Sequence, residues 1–129
     1  MNKWAPLILI SACLLSACGT VVKPVYYYNE IVVRNSTFYP VKDVEIRANR
    51  TNKVFKCSNI APRASCSDTF PKRKYQGNPI KITWVYHDRK KETKEFVLAI
   101  PESMDRTIPL RGVLEIKSDG TIATYYEQN

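Results

Sequence analysis

Between residues 80 and 87 bulky apolar side chains recur at every second position: Ile80, Ile82, Trp84 and Tyr86 fall on one face, with Lys81, Thr83, Val85 and His87 on the other. A period of two is that of a β-strand with one face against a core and one face wet. Trp84, in the middle of the run, is expected at the centre of that core. The same period recurs at Val44, Ile46 and Ala48, with Glu45 and Arg47 between them, and again at Phe96, Leu98 and Ile100. The last of these predicts a hairpin with the 80–87 strand across a charged turn at residues 88–93.

Shorter apolar runs at Ile31-Val32-Val33, at Val54-Phe55 leading into Cys57, at 113–116 and at 122–126 add further strands, and Asp68-Thr69-Phe70 reads as a returning one. Asn35-Ser36-Thr37, Asn49-Arg50-Thr51-Asn52 and Ser118-Asp119-Gly120 punctuate them as turns. Asn35 and Asn49 each head an N-x-T triplet, which we read as turn chemistry. Residues 71–79, between two prolines, predict a basic loop, and residues 101–105 a connection with room for a helical turn. Tyr26-Tyr27-Tyr28 either begins the first strand or lies in the headgroup layer of a membrane. Apolar residues at helical spacing are not sustained anywhere. Seven or eight short strands at intervals of roughly 8–12 residues predict an all-β fold. The expected architecture is a small antiparallel β-sandwich, immunoglobulin-like or transthyretin-like, with a small β-barrel as the alternative.

The N-terminus carries a different pattern. After Lys3, residues 5–15 form an apolar run of about the 7–15 residues of a signal-peptide core, shorter than the roughly 20 residues that span a bilayer. It closes on Leu15-Ser16-Ala17-Cys18, which resembles the lipobox of bacterial lipoproteins. The resemblance implies that residues 1–17 are a signal peptide that is removed, and that Cys18 becomes the first residue of the mature chain, thioether-linked to diacylglycerol and acylated on its amine. Residues 18–29 would then be the lipidated N-terminus and tether, and residues 30–129 a single β-sandwich domain. Gly19 stands where an aspartate would mark retention in the inner membrane, so the implied address is the inner leaflet of an outer membrane, facing the periplasm. The alternative is an ordinary secretory signal cut after Ala17, with Cys18 left as a thiol.

On that address the four cysteines sort themselves. Cys13 leaves with the signal, Cys18 carries lipid, and Cys57 and Cys66 remain to form one disulfide in an oxidising compartment. The bridge would close either a wide hairpin end or a loop clamped at its base.

The chain has 20 Lys and Arg against 12 Asp and Glu, a formal charge of +8 that becomes +7 without Lys3. Nucleophile elbows, phosphate-cradling glycine loops and paired metal-ligand motifs are missing, and His87 is the only histidine. Catalytic residues, metal ligands and cofactors are therefore not expected. The candidate binding residues are Lys72, Arg73 and Lys74, and Arg89, Lys90 and Lys91, in two predicted loops at opposite ends of the 80–87 strand. Such residues either keep turns and sheet edges soluble or form an electrostatic footprint for an anionic partner. The expected partners are the membrane, through the lipid anchor, and an envelope protein; nucleic acid is not expected, because no recognition motif accompanies the charge. The expected role is non-catalytic, structural or interactive, in the cell envelope, with a binding module for anionic envelope glycans or lipids as the alternative.

Overall fold

The alternation around Trp84 is realised as a strand with one face closed to water: in the computed structural model, which describes residues 24–128, Ile82 and Trp84 are 1% and 2% exposed. The described residues form eight strands: β1 (Tyr27–Asn35), β2 (Val41–Ala48), β3 (Lys53–Ile60), β4 (Ser65–Lys74), β5 (Ile80–Tyr86), β6 (Arg89–Glu92), β7 (Leu110–Ile116) and β8 (Ile122–Glu127). They make two four-stranded sheets, ordered β4-β1-β7-β8 and β3-β2-β5-β6. Every pairing is antiparallel except β1 with β7. The fold is a β-sandwich and not a closed barrel. Its first two strands lie in opposite sheets, which differs from the immunoglobulin arrangement, where they share one; the strand order fits the transthyretin-like type. Between the sheets Val33, Leu114 and Ile116 from one side meet Val44, Ile46, Ile82 and Trp84 from the other.

Four local expectations are corrected. The fold begins at Tyr27, not at residue 30, so three residues assigned to the tether open β1. Lys72, Arg73 and Lys74 are not in a loop: they extend β4, where Pro71 is tolerated because this is an edge strand and its missing N–H removes no inner ladder bond. The register of β1 against β4 slips between Tyr28 and Glu30, beside that proline.

The turn after β5 is two residues long, not six. His87 and Asp88 both adopt the left-handed conformation, with φ of 52° and 59°, as a tight hairpin turn requires. Residues 89–92 therefore pair as β6, and His87 sits in the turn instead of on a strand face. Beyond β6 the Thr93 side chain accepts the N–H of Ile82 (3.1 Å) while the Thr93 N–H donates to the Ile82 carbonyl (2.9 Å); the register slips there, and Phe96 makes one isolated bridge to Ile80. Residues 96–100 consequently do not form the predicted strand.

Two polar side chains are closed inside this apolar frame. Asn35, at the end of β1, is 1% exposed and Thr37 is 0% exposed. The Asn35 carbonyl oxygen accepts from the N–H (3.0 Å) and hydroxyl (2.6 Å) of Thr37. Its amide nitrogen donates to the carbonyls of Tyr39 (2.8 Å), Ile60 (3.0 Å) and Ala61 (3.2 Å). Its backbone N–H donates to the Ala64 carbonyl, and its own carbonyl accepts from the Arg63 N–H, both at 2.9 Å. One residue thus joins β1, the β1–β2 turn, the end of β3 and the loop by which the chain crosses between sheets.

Beside that crossing, Cys57 of β3 and Cys66 of β4 are disulfide-bonded, with Cα atoms 6.4 Å apart. Since β3 and β4 are edge strands of different sheets, the bridge staples the two layers along one side. In the chain-entropy model closing so short a loop contributes about 2.5–3 kcal/mol.

Replacing Cys57 and Cys66 together by Ala should lower unfolding stability by about that 2.5–3 kcal/mol while the circular dichroism spectrum is retained, and reductant should reproduce the loss in the native protein. Asn35→Ala should cost about 3 kcal/mol or more, because several enclosed backbone groups lose their partner at once.

Asn35→Asp sets a carboxylate against three carbonyl oxygens. In the folded variant that carboxyl is held above its unfolded value, so stability present in acid is lost as pH rises. Urea unfolding should show a deficit against the parent protein that shrinks between about pH 7 and about pH 4. A pH-independent deficit would mean that the three carbonyls do not face this side chain.

Candidate binding surfaces

The two ends of the sandwich differ. At the end where β1 begins, a cleft of about 550 Å³ opens between the sheets. Sheet geometry supplies one wall from Tyr28, Phe70 and Tyr126, the other from Ile46, Phe55 and Ile80, while Tyr75 closes it from the segment after β4. The rings pack edge to face: Tyr28 lies 5.3 Å from Phe70 and 6.1 Å from Tyr75, and Tyr75 lies 6.3 Å from Tyr126. Such geometry sets ring edges against ring faces, the favoured arrangement of aromatic pairs. The mouth carries charge. Lys53, Arg73 and Lys74 line it, with Arg73 stacked over Phe70 at 4.7 Å. Glu30, also at the mouth, is occupied by Arg111 at 2.8 Å. An apolar, aromatic interior below a cationic mouth suits a ligand with an apolar or planar body and an anionic head.

Tyr75 and Tyr126 both donate their hydroxyls to the Leu98 carbonyl, the latter at 3.4 Å. This gives the irregular segment after Phe96 the partners it lacks in a ladder. Burial pushes the Tyr126 hydroxyl well above the ordinary tyrosine range, and the neighbouring Tyr75 adds to the shift. Tyr75 is raised as well, chiefly by burial. Both are therefore neutral donors at physiological pH.

The opposite end is built from the β1–β2 turn, the β3–β4 crossing, the His87-Asp88 turn and the β7–β8 turn. Phe38 and Tyr39 are 72% and 52% exposed there. Arg63 lies over the Phe38 ring at 4.9 Å, and His87 packs between Tyr39 (4.2 Å) and Tyr86 (4.4 Å). A shallower concavity of about 390 Å³ lies beside them, lined by His87, Arg89, Lys91 and Asp119 among others.

The candidates read from sequence are distributed as follows. Cys18 lies outside the described residues. Cys57 and Cys66 are bonded to each other. Arg73 and Lys74 stand at the cleft mouth, while Lys72 lies over the Tyr27 ring at 5.4 Å. Arg89 and Lys91 line the far concavity and Lys90 does not, as expected of neighbours alternating along β6. The two basic clusters thus never meet. Sequence reasoning missed Lys53 and the tyrosines of the cleft, and it missed the Phe38, Tyr39 and Arg63 grouping. The adjacent aromatic pair Phe38-Tyr39 inside a turn was the available signal.

No protein-family model matches the chain, and no curated protein matches it. Among solved structures it is similar to the NMR structure of a protein from Eubacterium rectale, at 14% identity and a TM-score of 0.47, over 83% of this chain and 92% of that one. A likeness at that level carries no functional argument.

The tyrosine pair makes a pH prediction. Because both hydroxyls are raised in the folded state, the stability they contribute is present below the unfolded tyrosine value of about 10 and is lost as pH rises beyond it. Tyr126→Phe should shrink the part of the tyrosinate absorbance that appears above this range, and should flatten the alkaline fall in unfolding midpoint. An unchanged alkaline titration would place Tyr126 in water.

Proposed function

We propose that the protein is a lipid-anchored lipoprotein of the bacterial envelope, held on the inner leaflet of the outer membrane and facing the periplasm, whose sandwich is a non-catalytic interaction module for an envelope protein. The anchor rests on Leu15-Ser16-Ala17-Cys18 and the apolar run before it. The interaction role rests on one observation: the end of the sandwich remote from the tether exposes Phe38 and Tyr39, backed by Arg63 and His87. Leaving a phenylalanine 72% exposed forgoes hydrophobic stabilisation of the folded domain. Aromatic residues with arginine are the composition of interface centres. A tether leaving through β1 points this end away from the membrane.

A second reading, a binding module for anionic envelope glycans or lipids, is favoured by the aromatic cleft with Lys53, Arg73 and Lys74 at its mouth.

Two measurements bear on the proposal. Cys18→Ser should leave uncleaved precursor and abolish incorporation of labelled palmitate; unchanged labelling removes the anchor. A photo-crosslinking amino acid in place of Phe38, in anchored protein in living cells, should give a discrete protein adduct, whereas the same substitution of Thr51 at the tether end should not. The same adduct pattern from both positions would dismiss the far end as the interaction face.

A further inference from the structure

The two basic clusters lie at opposite ends of the sandwich, and the tether leaves from only one of them. Tyr27, the first residue of β1, is paired with Lys74, and Tyr28 with Arg73. Cys18 is nine residues before Tyr27 in sequence. A chain of that length spans at most about 30 Å when fully extended.

An acyl group on Cys18 therefore keeps this end of the domain close to lipid headgroups and raises its effective concentration there. At the same end the β2–β3 turn adds Arg50 and Lys53, so five cations, Arg50, Lys53, Lys72, Arg73 and Lys74, are exposed together. None of the five is ion-paired with a carboxylate among the described residues. Two acids line the same cleft: Glu30 is turned to Arg111, and Asp68 forms no ion pair with any of the five. Tyr27, 37% exposed beneath the Lys72 ammonium, adds an aromatic residue of the kind that settles at headgroup depth.

We propose that the tether end of the sandwich is a membrane-docking face, on which Arg50, Lys53, Lys72, Arg73 and Lys74 engage the phosphates of anionic phospholipids in the bilayer that carries the anchor. The orientation rests on the reading of Cys18 as the lipidated residue; the surface itself does not. Acyl chains supply the attachment, and the basic face supplies a second, electrostatic contact that turns a mobile tether into a fixed stance. Strands then stand away from the membrane, with Phe38 and Tyr39 at the outer tip. Arg89, Lys90 and Lys91 have no part in docking, because their end points the other way.

The test uses the mature chain from Gly19 without lipid, which retains every strand, the core and the disulfide of the described fold. Its co-sedimentation with vesicles of phosphatidylglycerol and phosphatidylethanolamine is compared with that on pure phosphatidylcholine, at low and at physiological salt. Binding should require phosphatidylglycerol and should weaken as salt shortens the screening length to about 8 Å.

Two triple variants carry the same loss of charge. Lys72→Gln with Arg73→Gln and Lys74→Gln should weaken binding on the order of 10–100-fold. Arg89→Gln with Lys90→Gln and Lys91→Gln should stay within about threefold, since its charges lie beyond the screening length from a bilayer at the other end. If the first variant does not fold, Lys53→Gln with Arg73→Gln takes its place, with the same expected direction.

Equal losses in the two triples, or no binding to anionic vesicles at low salt, would overturn the proposal. Palmitate labelling keeps the two failures apart. A labelled protein whose lipid-free chain ignores the vesicles retains its anchor and loses the docking face. A vesicle-binding chain whose Cys18 takes no label loses the proposed orientation.

Discussion

The crossing between the sheets depends on the Asn35 side chain. The chain leaves β3 at Ile60 and begins β4 at Ser65 in the opposite sheet, so only residues 61–64 carry it from one layer to the other. A passage so short turns backbone carbonyls inward, and enclosed carbonyls need donors. The amide of Asn35 supplies them to Ile60 and Ala61, and its backbone holds Arg63 and Ala64. Arg63 itself takes a left-handed φ of 64° to complete the passage. The disulfide between Cys57 and Cys66 holds the same region covalently, with Cys57 itself part of the buried core. Hydrogen bonds and a covalent staple together close this end of the sandwich.

With one end closed, the asymmetry of the molecule follows. β3 and β4 are held together at the cysteines, whereas toward Lys53 and Lys74 no bridge joins the sheets and the space is filled only partly by tyrosine rings. Tyr75 and Tyr126 reach across to the Leu98 carbonyl and brace the cleft, but they do not fill it. A sandwich sealed by a buried amide at one end and propped open by aromatic rings at the other has two chemically distinct poles.

What could be read from the sequence tracks burial. β5 was legible because one of its faces is sealed: Ile82 and Trp84 are core residues, and alternation is strong where one face meets the core. The disulfide was legible from the count of cysteines, though not its place across the two sheets. β6 was illegible, since Arg89-Lys90-Lys91-Glu92 is a strand by ladder bonding alone, with no apolar residue to mark a face. β4 was legible at Asp68-Thr69-Phe70, but Pro71 and the run of exposed charge after it gave a false loop signal for Lys72, Arg73 and Lys74.

Asn35 was read correctly as turn chemistry, but its burial was not visible. The motif in which an Asx oxygen takes both the N–H and the hydroxyl of a Thr two residues on recurs at Asp105 with Thr107 and at Asp119 with Thr121, both on the surface. Only the surrounding fold distinguishes the buried copy from the exposed ones. The cleft was hidden for a topological reason: Tyr28, Tyr75 and Tyr126 are distant in sequence and meet only when β1, β7 and β8 are side by side.

Edge protection separates the two basic clusters. An exposed edge strand invites pairing with another chain, and charge, proline, bulges and covering segments are the usual means of blocking it. β4 already has Pro71, an irregular register against β1 and a disulfide to the neighbouring edge. Lysines are not needed there for that purpose. β6 has no such device, so Arg89, Lys90 and Lys91 are sufficiently explained as the guard of an otherwise open edge. Of the two clusters, the one left without an edge-guarding task therefore lies on β4, beside the β2–β3 turn, at the pole where β1 begins.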